Sequence, residues 1–143
     1  MKWIDAGDIK TWSTSKQRDC ASLLPELLRR LILATTSFIE EINFPSGDSI
    51  SLSGWDGQLK TDAKSPYFPS GLSGWELGVK VSPGTKAEED YIKRTADPLG
   101  LSHSETTFVF VTPRPWSGHQ KWANDKRATK KWKDVRIIGA DGL

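Results

Sequence analysis

The chain has 143 residues, with 20 Lys and Arg against 18 Asp and Glu, a 36% hydrophobic fraction, 12 Gly, 8 Pro and one Cys. That length suits one domain with an α/β core; the lone Cys20 excludes an internal disulfide framework, and His103 and His119 with one thiol cannot build a zinc site without carboxylates. No apolar run approaches the ~20 residues of a bilayer span, and the start MKWIDAGDIK lacks the apolar stretch of a signal peptide, so a cytoplasmic protein with no membrane partner is expected.

Residues 1–19 are polar and irregular, and the domain proper is expected over 20–143. From Ala21 the pattern is helical: Leu24, Leu27, Leu28, Leu31 and Thr35 follow one helix face, with Pro25 in the first turn and Asp19 or Ser22 as cap. The helix fades near Ser37. Strand character runs from Phe38 to Phe44 and, after a Pro45-Ser46-Gly47-Asp48 turn, from Ser49 to Leu52. Asp62 to Leu72 reads as loop, because it holds Pro66, Pro69 and Gly71.

Trp75 to Val81 reads as a strand and Lys86 to Arg94 as a short helix, ended by Asp97-Pro98-Leu99-Gly100. Thr106 to Thr112 (TTFVFVT) is an unbroken apolar run suited to a strand buried on both faces. A Trp- and Lys-rich helix follows from Gly118 to Lys133, then a strand from Val135 to Ile138. This order predicts an α/β fold whose mixed sheet, flanked by helices, starts as an antiparallel meander and continues by right-handed crossovers. The chain stops directly after a strand, so the residues are expected to be the amino-terminal part of a longer protein.

One internal echo carries candidate chemistry. Leu52-Ser53-Gly54-Trp55-Asp56 reappears as Leu72-Ser73-Gly74-Trp75-Glu76, placing a carboxylate after Gly-Trp at the head of two expected strands. On neighbouring strands Asp56 and Glu76 would converge, and two carboxylates can hold a magnesium or manganese ion. The alternative is two exposed turn acids beside core tryptophans. Strand alternation puts Lys80 on the same face as Glu76. Such an ammonium suits phosphodiester hydrolysis, in which a metal polarises phosphate and acidifies water while lysine orients that water.

With an Asp on one strand, and a Glu followed by a Lys on the next, the sequence resembles the restriction-endonuclease-like nucleases of the PD-(D/E)xK superfamily. Within that superfamily it resembles a subgroup found at the amino terminus of large bacterial NTPase proteins of anti-phage defence. The resemblance rests on Leu24-Pro25-Glu26-Leu27 with Arg29-Arg30-Leu31-Ile32, Gly54-Trp55-Asp56-Gly57, Pro69 to Gly71 before Ser73, and Trp75-Glu76-Leu77-Gly78. It continues through Lys86-Ala87, Asp90-Tyr91, Arg94-Thr95 and Phe108 to Pro113, from about residue 20 to 138.

The resemblance implies a metal-dependent endonuclease acting on double-stranded DNA. Asp56 and Glu76 would be the Mg2+ (or Mn2+) ligands, and Glu26 an acid supporting the metal through water. The usual lysine position is Gly78 here, so Lys80 or Lys86 must supply the ammonium. The stripe Lys86, Asp90, Arg94 favours Lys86, although it can also be read as a surface ion-pair ladder. The resemblance further implies a carboxy-terminal NTPase or sensor region as partner and homo-oligomerisation as the switch.

Residues 113–136 hold eight Lys and Arg against two acids, a balance of +6 within a chain of net charge +2. Lys121, Lys126, Arg127, Lys130 and Lys131 are therefore candidate phosphate contacts, although a solvated helix face has the same composition. Trp122 and Trp132 could share one side of that helix, as core or as a stacking platform. Two other readings compete with the enzyme. Gly78 in the lysine position favours a catalytically inactive nuclease-like domain that binds nucleic acid or a protein; seven Trp suggest a carbohydrate-binding module, against the α/β pattern.

Overall fold

A computed structural model of the chain describes residues 17–45, 54–65 and 67–139. Its elements in order are α1 (Gln17–Thr35), β1 (Ile39–Asn43), β2 (Gly57–Thr61), β3 (Gly71–Leu77), α2 (Pro83–Ala96), a 3-10 turn (His103–Glu105), β4 (Thr106–Val111), α3 (His119–Ala128) and β5 (Asp134–Ile138). The fold is mixed α/β. One five-stranded sheet has the order β1-β2-β3-β4-β5, antiparallel across β1, β2 and β3 and parallel across β3, β4 and β5.

The alternation of side chains sorts the interior into two cores. Leu24, Leu28 and Ile32 of α1 pack on Leu59, Trp75, Val109 and Val111 on one face of the sheet. Ala87 and Tyr91 of α2 and Ala123 of α3 pack with Trp55, Phe108, Phe110, Trp132 and Val135 on the other. Every residue of β4 is buried, as the apolar run required.

Several sequence expectations shift. Pro25 lies well inside α1 rather than in its first turn, because the helix starts at Gln17; the ring removes one backbone hydrogen bond without ending the helix. The strand expected after Asp56 is present at Gly57–Thr61, and the one expected at Ser49–Leu52 lies outside the described residues. β3 begins at Gly71, where the chain pairs with Thr61, and ends at Leu77 instead of Val81. The Trp/Lys-rich helix stops at Ala128, since Lys130 takes φ 55° and the Lys133 amide turns to the carbonyls of Thr106 and His103. Trp132 is consequently beyond α3 and does not share a helix side with Trp122. Both rings pack in the aromatic core: Trp132 against Trp55 at 5.8 Å and Trp122 against Tyr91 at 5.6 Å.

Candidate active site

Asp56 immediately precedes β2, and Glu76 is the last but one residue of β3. The two strands run antiparallel with Gly57 opposite Trp75, so the head of one meets the tail of the other. The two carboxyl groups are thereby neighbours, and the charge of Asp56 bears on Glu76. The expectation that both acids head their strands is thus corrected for Glu76. Nor is the echo a structural repeat: Trp55 enters the aromatic core while Trp75 packs under α1.

Each acid is held by the backbone or by a cation. The Leu77 amide donates to Asp56 Oδ2 at 2.8 Å. Arg94 Nε donates to Glu76 Oε1 at 2.5 Å, with both side chains more than nine-tenths buried. Arg94 Nη2 also donates to the Gly54 carbonyl at 2.6 Å, and the guanidinium lies 5.5 Å from the Trp55 ring centre. Gly54 takes φ +142°, a conformation that side chains rarely adopt, and its carbonyl meets the guanidinium.

The third acid and the lysine come from α2. Lys86 Nζ donates to Asp90 Oδ1 at 3.0 Å, and Asp90 Oδ2 is buried with no hydrogen-bond partner among the described residues. Lys86 runs over Gly78: a Cβ at residue 78 would meet Phe110 Cζ at 2.5 Å and Lys86 Cγ at 3.1 Å. The space a side chain at position 78 would need is therefore filled by the ring and by the stem of Lys86. Fully ionised, Asp56, Glu76 and Asp90 against Lys86 and Arg94 would leave one net negative charge in a mostly buried cluster.

Burial, and then the crowding of like charges, perturbs the proton affinities. Burial first, then the charge of Asp56 and hydrogen bonding with it, push Glu76 up to about 9, against the lowering pull of Arg94. Burial also raises Asp90, opposed by its bond to Lys86. For Lys86 burial works downward, but the hydrogen bond to Asp90 and the charges of Asp90, Asp56 and Glu76 outweigh it, so its pKa is raised. Lys86 is then a firm ammonium at neutral pH, a donor rather than a base.

The other candidate residues lie elsewhere. Lys80 is exposed in a bend past the end of β3, so strand alternation no longer aims it beside Glu76. Glu26 accepts from Arg30 Nε at 3.0 Å along α1. In the basic segment Lys121 pairs with Asp125, Lys126 with Glu88 under the Tyr91 and Trp122 rings, and Arg127 with Asp134. Those three cations are engaged within the chain; Lys130 and Lys131 are exposed.

The anchoring role of Arg94 was not read from the sequence, yet a signal existed. Ala87, Asp90, Tyr91 and Arg94 recur at the spacing of one buried helix face, so Asp90 and Arg94 had to point at the sheet. A solvent ladder would have put them opposite Tyr91.

Among the described residues no group of three His, Cys, Asp or Glu side chains is arranged to hold a metal ion. The donor chemistry that is present, two facing carboxylates of which one is lifted first by burial and then by the charge of the other, still fits magnesium. That ion commonly takes one or two protein carboxylates and completes its shell with water and phosphate oxygens. No helix among the described residues is long and apolar enough to cross a membrane. Comparison with family models, curated proteins and solved structures gives no match for this chain.

Proposed function

We propose that this chain is a metal-dependent endonuclease domain with a restriction-endonuclease-like sheet, hydrolysing phosphodiester bonds of double-stranded DNA. One observation carries the reading: Asp56 faces Glu76 across two paired strands, and the Lys86 stem fills the room left by Gly78. The sequence resemblance extends it to a cytoplasmic anti-phage effector domain, joined to an NTPase or sensor region and switched by homo-oligomerisation.

Asp56 and Glu76 would hold the Mg2+ (or Mn2+), which when bound polarises the phosphate and acidifies a water molecule. Arg94 keeps the Glu76 carboxylate aimed at Asp56 by fixing one of its oxygens, and the Leu77 amide does the same for Asp56. Asp90 restrains the Lys86 ammonium, which orients the attacking water or neutralises charge on the phosphate. Lys80 has no part in this arrangement.

Nicking of supercoiled plasmid in Mg2+ tests the proposal. Asp56→Ala and Glu76→Ala should each lower the rate at least ~100-fold and Lys86→Ala ~10–100-fold, with Lys80→Ala near the parent rate. Equal cutting by the parent and both acid variants would remove the assignment. The second reading, an inactive nuclease-like domain binding nucleic acid or protein, is favoured by the Lys86–Asp90 pair, which occupies the ammonium. It requires that neither cleavage nor magnesium binding occurs at millimolar metal.

A further inference from the structure

The end of the sheet away from the carboxylates holds a second concave site. The chain leading into β3 and the starts of β4 and β5 enclose a cleft of about 430 Å³, in the size range of small-ligand sites. From Gly71, at this end of β3, to Glu76 the strand rises roughly 17 Å. The two sites are therefore separate.

Lys64, Lys133 and Arg136 line the cleft against one acid, Asp134. Asp134 Oδ1 is already taken by Arg127 Nε at 2.8 Å and by the Val135 amide at 2.7 Å. Arg136 makes one long bond, 3.4 Å, to the Tyr67 carbonyl. Neither Lys64 nor Lys133 has an ion-pair partner among the described residues. The Lys133 ammonium lies 3.2 Å from where a Cβ on Gly71 would stand, so the absence of a side chain there leaves room for the charge beside the cleft.

A hydroxyl completes the set. Ser65 Oγ accepts from the amides of Tyr67 at 3.1 Å and Phe68 at 3.4 Å, which leaves its own proton to donate elsewhere. Two ammoniums, a planar guanidinium and a donating hydroxyl around one cleft, with the one acid among its described lining residues paired to Arg127, form a donor-rich site for a multiply charged oxyanion.

We infer that this cleft binds a phosphate group, carried by a nucleotide-sized molecule or by a nucleic-acid strand, independently of any metal at the carboxylates. The test is titration of the full chain in EDTA with inorganic phosphate, ATP and a short single-stranded oligonucleotide, followed by amide NMR shifts. Saturable shifts confined to Ser65, Ser70, Gly71 and residues 133–136 are expected, weakened about tenfold or more in Lys64→Ala/Lys133→Ala. Lys130→Ala/Lys131→Ala, which removes as much charge from another exposed site, should bind like the parent. Saturation by phosphate and ATP points to a small organic phosphate, and saturation by the oligonucleotide alone points to a strand; either supports the site. No shift up to about 10 mM, or equal weakening by the two double variants, overturns it. Because EDTA stops cleavage and both lysines changed are exposed, neither failed nuclease activity nor misfolding can produce that result.

Discussion

The two faces of the sheet are built from the same strands and do different work. Under α1 the face is aliphatic and aromatic, and the buried polar groups it takes in include the Ser73 hydroxyl, to which Trp75 Nε1 donates at 2.8 Å. Under α2 and α3 the face is more aromatic, yet it also takes in Glu76, Asp90 and Arg94. Buried charge survives only where partners replace lost water, and here three acids meet two cations. The first face is an apolar packing surface. The second gathers more acids than cations, and Glu76 accordingly holds its proton up to about pH 9.

Substitutions that strike one face at a time should separate these roles. The largest loss is expected from Leu28→Ala under α1, about 3 kcal/mol by denaturant unfolding, because Leu28 is fully buried there; nicking per folded molecule should not change. On the other face Arg94→Met removes the partner of Glu76 and should cost about 2–3 kcal/mol, with nicking lost even at temperatures where the variant stays folded. A loss of stability without a loss of nicking would reduce Arg94 to a packing residue.

Gly78→Ala should cost about 1–3 kcal/mol by thermal unfolding, since its Cβ collides with Phe110. Adding Phe110→Leu should recover part of that; no recovery would mean that the room at residue 78 is not set by the ring.

The subtlest contrast is in pH dependence. The folded-state pKa of Glu76, raised from 4.5 to about 9, means that the folded chain retains a proton the unfolded chain releases. In metal-free buffer the associated stability is fully present below the unfolded value and is lost as pH rises through about 9. Glu76→Gln should flatten that slope in urea titrations across the range. An unchanged slope would show that Glu76 is not the group responsible.

Much of this was legible in the sequence where local patterns agreed with the tertiary setting. The apolar Thr106–Val111 run could only be an inner strand, and the order of elements gave the antiparallel-then-parallel sheet. The facing of Asp56 and Glu76 was readable from the Gly-Trp-acid echo, although the echo holds because the strands oppose each other rather than repeat. β2 was legible only through that echo, because Gly57-Gln58-Leu59-Lys60-Thr61 carries one large apolar residue; pairing on both sides makes it a strand, not propensity. The alternation argument for Lys80 lapses because the strand ends at Leu77. The basic helix looked like a polyanion surface from composition alone, whereas Glu88, Asp125 and Asp134, two of them close in sequence and one far, take up three of its cations.

The account depends most on the Asp56–Glu76 pair gripping one divalent cation. The most direct measurement is a Mg2+ titration of the parent chain, Asp56→Asn and Glu76→Gln, following the amide signals of Leu77 and Gly78 together with the melting temperature. Millimolar Mg2+ should shift both amides and raise the melting point of the parent, with neither effect in the two variants. A parent that ignores the ion, or variants that respond as the parent does, would contradict the account.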